Sequence, residues 1–403
     1  MLNSDEIRKD FPILKEPMNN KPLVYLDSAA TSLKPWAVLD ALNVYNQKIS
    51  ANVYRGVYKL SSDATELYES ARLKVAGFIN ACRKEVIFTK NATEALNIVA
   101  FGYGLSHLKS GDQILTTALE HHSSFLPWQR VAKLTGAEIK FVPLNKIGAV
   151  DLNNFEGALT SKTKVVAINH VSNVMGYLTP IKEICVMAHK VGAVVSVDAA
   201  QSVPHIKVDV RDMDCDFLSF TGHKMLGPTG VGVLYGKQSF LKAMEPFNFG
   251  GEMIDEVNLK GSTFKDPPYK FEAGTPPIAG AIGLKSAIDY LENIGDIYQY
   301  EENLLKYAIE KLSRIEGVTI YNKNPHIGII AYNVEGVHPH DMASVYDSLG
   351  ICVRAGHHCA QLLMKWLNQP ATLRASIYLY NTKEDIDALA DATILGKETF
   401  DGF

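Results

Sequence analysis

Short runs of β-branched and apolar residues alternate with longer stretches of helical character through most of the chain. Enough residues separate one apolar run from the next for a crossover helix. This alternation predicts an α/β fold with a mostly parallel central sheet. The predicted strands lie at residues 86–89, 113–116, 139–143, 165–170, 193–198, 217–221 and 232–235.

The pattern changes after a segment rich in proline and glycine at residues 271–280. We expect one long helix over roughly residues 279–315, then strands at residues 318–321 and 327–333 and a terminal α/β unit. A smaller domain therefore follows a larger one. The predicted parts are an N-terminal segment of residues 1–20 that packs on the small domain, a large domain of residues 21–285, and a small domain of residues 286–403.

Composition and charge narrow the functional class. The chain has 403 residues, of which 47% are apolar and 21% charged, and a formal net charge of −4 that does not favour nucleic-acid binding. No apolar run suggests a signal peptide or membrane span, so we expect a cytoplasmic protein. The five cysteines are widely spread without a C-x-x-C pair, which argues against a disulfide framework and a cysteine-rich zinc site.

Two strand ends carry residues suited to a bound cofactor. Asp198 and Gln201 follow the apolar run at residues 193–198, where ligands of open α/β sheets bind, although a helix cap would explain the acid equally well. Lys224 follows the next strand, directly after Thr221 and His223 and before a glycine-rich turn. Such a site can hold an aldehyde cofactor and its phosphate. The glycines match neither the dinucleotide fingerprint nor the P-loop.

Two further strand-to-helix junctions are candidates. Ala92 and Thr93 place a hydroxyl and free amides where a strand gives way to a helix, which suits a phosphate, with an N-cap as the alternative. His121 and His122 follow another strand, where they are candidates for metal ligands, caps or an aromatic lid over a cofactor. No carboxylate or cysteine stands at convincing zinc spacing nearby, and for His122 we favour a purely structural role.

The sharpest local signal is Cys359, in a loop with His357 and His358 and close to Arg354. Protonated histidines and a guanidinium lower the pKa of a thiol and so favour the thiolate that a nucleophile needs. The alternatives are a His-His-Cys metal cluster and an inert buried thiol. A metal is disfavoured, because adjacent loop residues cannot easily face one ion and no fourth ligand is evident.

Taken together, these motifs resemble a known family. The Asp-x-x-Gln strand end followed by Thr-x-His-Lys is similar to fold-type I, aminotransferase class V pyridoxal-phosphate enzymes. The Arg-x-Gly-His-His-Cys-Ala segment resembles the signature of group II, SufS-type cysteine desulfurases, most closely those of Gram-positive bacteria. The resemblance covers nearly the whole chain. One departure is Leu362, where many relatives carry a proline.

The resemblance assigns roles around pyridoxal phosphate. Lys224 would form the Schiff base, and an Asp198 carboxylate would keep the pyridine nitrogen protonated, which makes the ring an electron sink. Gln201 would hydrogen-bond the phenolic oxygen, and His121 would stack on the ring and take part in proton transfer. The phosphate-binding set implied by the family is Ala92, Thr93, Thr221, His223 and, from a neighbouring subunit, Thr275. A homodimer is therefore implied.

The resemblance also implies the reaction. L-cysteine would be bound through Arg374, with Asn173 and Arg354 nearby, although a surface arginine and a turn asparagine are the competing interpretations. Cys359 would take the sulfur as a persulfide and leave L-alanine. The sulfur would pass to an acceptor for iron–sulfur cluster assembly, with a SufU-like zinc protein docking at His340; a solvent-facing turn is the alternative there.

Three other activities stay open. A selenocysteine lyase, or an enzyme with both activities, is the nearest alternative, since selenium leaves more readily than sulfur. A simple transaminase would lack a need for the Cys359 loop and would form a keto acid. A catalytically silent protein that only binds the cofactor is the alternative from a different class.

Overall fold

The apolar runs form strands in the computed structural model, which describes residues 3–401. They lie close to the predicted positions, because β-branched and apolar residues fit a pleated, buried surface. The strands are β1 (Val24–Tyr25), β2 (Val86–Thr89), β3 (Gln113–Thr117), β4 (Glu138–Val142), β5 (Thr163–Asn169), β6 (Val194–Asp198), β7 (Phe217–Thr221), β8 (Gly232–Gly236), β9 (Ile254–Asn258), β10 (Gly261–Phe264), β11 (Val318–Ile320), β12 (Ile329–Val334), β13 (Ile351–Cys352), β14 (Arg354–Gly356) and β15 (Thr372–Ser376).

Helices fill most of the connections. They begin at caps where the chain supplies one; Asn91 and Asp151, for example, accept hydrogen bonds from amides of the following turn. The helices are α1 (Ser4–Arg8), α2 (Trp36–Lys48), α3 (Lys59–Phe78), α4 (Ala92–Val99), α5 (Leu105–His107), α6 (His122–Thr135), α7 (Leu152–Ala158), α8 (Ile181–Lys190), α9 (Val210–Met213), α10 (Gln238–Ala243), α11 (Ile278–Asn293), α12 (Ile297–Ser313), α13 (Pro339–Ser348), α14 (Gln361–Trp366) and α15 (Lys383–Asp401).

The central sheet has seven strands in the order β2-β8-β7-β6-β5-β3-β4. Its strands from β7 through β4 run parallel to their neighbours, whereas β8 is antiparallel to both β2 and β7. The predicted α/β class with a mostly parallel sheet is confirmed. The exception arises because only a short turn joins β7 to β8, too short for a crossover helix.

Both faces of this sheet are buried. Val195 and Val197 of β6 pack into one apolar cluster with residues of α3, α8 and α11, while Val194 packs on the opposite side with residues of α4 and α6. Alternate side chains of a strand point to opposite faces, so a strand covered on both sides is apolar throughout. The only charged residue of β6 is at its carboxyl end, Asp198.

The C-terminal part forms a second, antiparallel sheet in the order β11-β12-β15-β14, with α12, α13 and α15 packed on it around a separate apolar cluster. The single long helix expected over residues 279–315 is wrong. Gly295, with φ of +108°, separates α11 from α12, because this backbone conformation cannot continue a right-handed helix. The predicted boundaries after residues 20 and 285 stay predictions.

Within residues 3–401, no helix combines the length and the apolar character that a membrane crossing requires.

Candidate functional site

The carboxyl ends of the parallel strands open into a cavity of about 240 Å³ between the two sheets. Asn169 at the end of β5 stands beside Asp198 at the end of β6, and Thr221 ends β7. Parallel pairing carries these polar ends to the same edge of the sheet. The predicted site residues that line the cavity are Ala92, Thr93, His121, Asn173, Asp198, Gln201, Thr221, His223, Lys224, Arg354, Cys359 and Arg374.

Two predicted residues lie elsewhere. Thr275 is exposed in the turn before α11 and does not line the cavity. His340 is exposed in the first turn of α13, outside the cavity. A Cβ atom built on Gly356 would lie 3.7 Å from His340 Nε2, so this ring stands next to the strand that leads into the Cys359 loop.

Lys224 lies in the tight turn after β7 and projects into the cavity wall. Burial lowers the pKa of its amine to about 8, and the nearby Asp198 carboxylate opposes that shift. Burial in turn raises the pKa of Asp198, against the hydrogen bond that Ala200 N donates to Asp198 Oδ1 at 3.0 Å. The lysine therefore has a substantial neutral, nucleophilic fraction near neutral pH, which a covalent bond to an aldehyde requires.

Buried groups without a protein partner indicate what the cavity can hold. Gln201 donates from Nε2 to Ala29 O at 2.8 Å, while its Oε1 is buried without a hydrogen-bond partner among the described residues. Asn169 Oδ1, at the same strand edge, is also buried and unpaired. Leaving such atoms unsatisfied is costly, so they favour a polar ring seated between them and Asp198. A hydroxylated pyridine fits this part of the cavity.

The opposite end of the cavity suits a phosphate. Asn91 caps α4 by accepting a hydrogen bond from Glu94 N at 2.9 Å, so the Thr93 hydroxyl in the first turn is not needed as a cap and lines the cavity. The Thr93 Oγ1 and Ser123 Oγ atoms lie 2.7 Å apart, so Ser123 is an additional hydroxyl that sequence reasoning did not identify. The cap and the phosphate interpretations of this junction are therefore compatible.

His121 takes one of the roles that the sequence left as alternatives, that of a helix cap. Its Nδ1 accepts a hydrogen bond from Ser123 N at 3.1 Å and so caps α6. Burial, with smaller effects of Lys224 and His122, lowers the pKa of His121 to about 3. The ring is therefore neutral with its proton on Nε2, and it lines the cavity as a lid over a flat ligand would.

A buried arginine also lines the cavity. Arg374 in β15 is buried, donates to Asn173 O at 3.0 Å and to Asp27 Oδ1 at 3.2 Å, and leaves Nε without a partner. Asp27 also pairs with Arg354 at 3.0 Å, so one carboxylate stands between two guanidinium groups. Sequence reasoning missed this role of Asp27. A free guanidinium edge suits a substrate carboxylate.

The Cys359 loop is strained and held from several sides. His358 and Cys359 have φ angles of +52° and +55°, in the left-handed region that non-glycine residues rarely adopt. Asn173 Nδ2 donates to His358 O at 2.7 Å, and His358 Nε2 pairs with Thr372 Oγ1 at 2.9 Å. The Cys359 side chain remains exposed at the mouth of the cavity, where a reactive thiol must lie.

His122 supports the same loop, in a way that sequence reasoning did not predict. Its backbone N donates to Cys359 O at 2.8 Å, and its Nε2 accepts a hydrogen bond from Gln361 N at 3.2 Å. Gln361 is the first residue of α14, whose own N-cap residue has no side-chain cap. The imidazole therefore caps α14 from a different part of the chain, which no local sequence signal could indicate.

No group of three or more potential metal ligands occurs within residues 3–401. His357, the remaining histidine of the loop, is exposed and lies 3.4 Å from the Gln361 side-chain amide.

Comparison with known proteins agrees with this geometry. Residues 24–389 match the aminotransferase class-V family. The chain is 55% identical to a probable cysteine desulfurase of Halalkalibacterium halodurans, over 99% of each chain, and 51% identical to one of Staphylococcus aureus, over 98% of this chain and 97% of the relative. The cysteine desulfurase CsdA of Escherichia coli superposes with a TM-score of 0.93 at 38% identity, covering 99% of this chain and all 100% of that one. A cysteine desulfurase of Thermococcus onnurineus superposes equally well, with a TM-score of 0.93 at 42% identity over 100% and 99% of the two chains.

Proposed function

The chain belongs to the aminotransferase class-V family, and from that premise we propose that it is a pyridoxal-phosphate-dependent cysteine desulfurase that carries its persulfide on Cys359. The observation that carries the proposal is the position of an exposed thiol on a strained loop at the mouth of a cavity whose wall contains a buried lysine with a lowered pKa. A transaminase has no use for such a thiol.

The residues of the cavity fit pyridoxal phosphate. Asp198 and Gln201 would contact its ring, His121 would cover it, and Lys224 would bind its aldehyde group. The phosphate would be bound by Ala92, Thr93, Thr221 and His223, with the Ser123 hydroxyl beside Thr93 as a further donor. When bound, the cofactor supplies an electron sink that makes the Cα proton of an amino acid acidic.

The remaining groups orient the substrate and move protons. Arg374 binds the carboxylate of L-cysteine through its free Nε edge, with Asn173 and Arg354 nearby. The Lys224 amine, with a pKa of about 8, is suited to take the Cα proton and to return it at neutral pH. His121, neutral with its proton on Nε2, would donate a hydrogen bond from Nε2 above the ring.

Cys359 accepts the sulfur. Its thiolate attacks the substrate sulfur, so that an S–S bond forms as the C–S bond breaks; the carbon skeleton takes up protons and leaves as L-alanine. The loop keeps the thiol at the cavity mouth because His122 and Asn173 fasten the backbone on both sides of it. The exposed side of Cys359 leaves the persulfide open to an acceptor.

Further parts of the proposal concern the environment of the enzyme. A cytoplasmic homodimer, in which Thr275 reaches the partner's phosphate, accounts for the exposed position of that residue. A SufU-like zinc protein that receives sulfur for iron–sulfur cluster assembly would dock at His340, whose ring stands next to Gly356 at the entrance of the Cys359 loop.

The reaction is tested by following alanine and sulfide from L-cysteine with a reductant. We expect equal release of both products from the native enzyme and near-complete loss in Cys359→Ala. Cys82, the other exposed cysteine, provides the matched control, and Cys82→Ala should keep native rates. Negligible alanine from native holoenzyme, or full activity of Cys359→Ala, would refute the proposal. Efficient turnover of selenocysteine but not of cysteine would favour the lyase instead.

The docking position has its own test. Stimulation of turnover by a SufU-like protein should fall at least tenfold in His340→Ala, while turnover without the acceptor stays native. His107, an exposed histidine on the far end of α5, gives the control His107→Ala. Undiminished stimulation of His340→Ala would exclude this docking site.

A further inference from the structure

A row of polar side chains crosses the carboxyl ends of three neighbouring strands. Glu120 follows β3, Asn169 ends β5 and Asp198 ends β6, and β5 pairs with both of the other strands. Asn169 and Asp198 are direct partners in the parallel register, so their side chains point to the same face of the sheet. Both line the candidate active-site cavity, whereas Glu120 does not line it and is only 1% exposed. Neither Glu120 nor Asn169 is among the residues to which the family resemblance assigns a role.

The Asn169 side chain is satisfied at one end and open at the other. Its Nδ2 donates a hydrogen bond to Glu120 Oε1 at 2.9 Å. Its Oδ1 is buried without a hydrogen-bond partner among residues 3–401. A buried carbonyl oxygen without a donor is costly, so this atom favours a bound group that offers it a hydrogen or a positive charge. Because Asn169 lines the cavity, that group belongs to the molecule that fills the cavity.

Glu120 determines which end of the Asn169 amide faces the cavity. Glu120 Oε1 accepts a second hydrogen bond, from Thr117 Oγ1 at 2.8 Å. Thr117 Oγ1 itself accepts a hydrogen bond from Leu119 N at 3.0 Å, so its own hydrogen is directed at Glu120. Glu120 Oε1 is therefore an acceptor for both neighbours. An acceptor in this position pairs with the nitrogen of the amide, which turns the Asn169 oxygen towards the cavity.

This orientation does not depend on the charge of Glu120. Burial raises the pKa of Glu120 to about 8, against the hydrogen bond from Thr117, so the neutral acid predominates at neutral pH. The second oxygen, Oε2, lies 3.1 Å from Ser124 Oγ, and this hydroxyl can accept the acid proton or donate to a carboxylate. In either protonation state Oε1 accepts from Asn169. Glu120 thus acts through the amide and not through its own charge.

Asn169 Oδ1 and Asp198 together form an edge of the cavity that accepts hydrogen bonds. Asp198 Oδ1 accepts from Ala200 N at 3.0 Å, which leaves Oδ2 for a ligand. The ring of pyridoxal phosphate has one group suited to such an edge, its protonated nitrogen. The negative end of an amide dipole stabilises a nearby cation, and it does so more strongly in a buried site than in water.

We propose that Asn169 is a cofactor-binding residue whose carbonyl oxygen, together with Asp198, stabilises the protonated ring nitrogen of pyridoxal phosphate, and that Glu120 is the positioning residue that orients this amide. The inference rests on the proposed function and extends it by a second acceptor at the ring nitrogen. A ring that is more completely protonated is a stronger electron sink.

The experiment measures the equilibrium binding of two cofactors to the apoprotein. The first is pyridoxal phosphate, and the second is deazapyridoxal phosphate, in which a C–H group replaces the ring nitrogen. In Asn169→Leu, which keeps a similar shape without the amide, the affinity for pyridoxal phosphate should fall at least about tenfold, whereas that for the deaza analogue should not fall. Asn169→Ala should give the same pattern. Native affinity for pyridoxal phosphate, or an equal loss with both cofactors, would overturn the proposal.

The positioning role is tested by two variants of Glu120 that differ in what they offer to Asn169. Glu120→Gln keeps an oxygen for Asn169 Nδ2 and presents its own amide nitrogen to Ser124, so its affinity for pyridoxal phosphate should stay within about twofold of native. Glu120→Met has a similar size but no such acceptor, and it should lose at least about fivefold for pyridoxal phosphate and nothing for the deaza analogue. Equal affinities of the two variants for pyridoxal phosphate would exclude the positioning role.

Binding and turnover separate this inference from the function on which it rests. The native apoprotein should bind pyridoxal phosphate whatever the Asn169 variants show, and alanine release from L-cysteine tests the desulfurase assignment by itself. Failure of the inference would therefore leave the native enzyme active, with the same discrimination between the two cofactors in native protein and Asn169→Leu.

Discussion

The cap that His122 provides for α14 lends itself to a quantitative test. In His122→Ala the acceptor for Gln361 N disappears, while the backbone bond from residue 122 to Cys359 O remains. Loss of a helix N-cap costs about 1 kcal/mol. The backbone conformation of the loop is itself unfavourable, because the left-handed region costs roughly 1–2 kcal/mol at each of His358 and Cys359. The cap is therefore a significant part of what holds the loop.

A change of about 1 kcal/mol alters a conformational equilibrium by about fivefold. We expect the rate of alanine formation in a single turnover to fall roughly two- to tenfold in His122→Ala, because the thiol spends less time at the cavity mouth. Cofactor content, read from the visible absorbance, should stay native, since His122 does not line that cavity. His122→Gln, which offers a side-chain oxygen as acceptor, should recover part of the rate.

Burial lowers the pKa of His122 below its usual 6.5, so its neutral ring accepts the hydrogen bond at neutral pH. The control is His357→Ala, which removes an exposed histidine of the same loop without removing the cap. A native single-turnover rate in His122→Ala, at native cofactor content, would show that the cap does not hold the loop. Loss of bound cofactor in this variant would likewise contradict the reasoning.

Three other predictions concern the cofactor site and the buried ion pair that Arg72 and Glu272 form. Covalent attachment of pyridoxal phosphate to the apoprotein should accelerate as pH rises through about 8 and then level off, because burial lowers the pKa of Lys224 to about 8. Stopped-flow absorbance measures this rate, and a rate that does not change with pH in this range would contradict the prediction. In Gly232→Ala the added Cβ would lie 2.5 Å from the backbone of Asn91, so the affinity of the apoprotein for the cofactor, measured by equilibrium titration, should fall at least tenfold. Glu272→Gln removes the charge that faces the fully buried Arg72 guanidinium at 2.5 Å. The free energy of unfolding, measured by denaturant titration, should fall by about 3–5 kcal/mol, and a fall below about 1 kcal/mol would show that this ion pair does not stabilise the fold.

Much of the fold could be read from local patterns. The strands that end at Asp198 and Thr221 are mostly apolar because both sheet faces are covered, and such runs are visible in a single sequence. The break at Gly295 was missed, since glycine within a helical pattern is often tolerated and only the observed φ of +108° shows that the chain turns there.

Some residues of the candidate site could be found from the sequence, and others only from the structure. Lys224, Asp198 and Cys359 stand in local segments whose residue types carry their chemistry, and the sequence sufficed to single them out. Asp27 was not recognised, and the structural role favoured for His122 came without its partner, because both depend on contacts far along the chain: Asp27 contacts Arg374, and His122 contacts Gln361. A carboxylate between two arginines or a cap from another helix leaves no local signal.

The sequence by itself determined the order of strands and helices, the apolar faces and the reactive groups, because each of these depends on neighbouring residues in the chain. Only the tertiary structure decided which groups meet. It brings the thiol loop over the lysine at the strand ends and places the Asn169 amide on the Glu120 carboxyl group. The physical reason is that pairing energies and burial arise from contacts across long loops, whose partners are selected by the packing of the whole sheet and its helices.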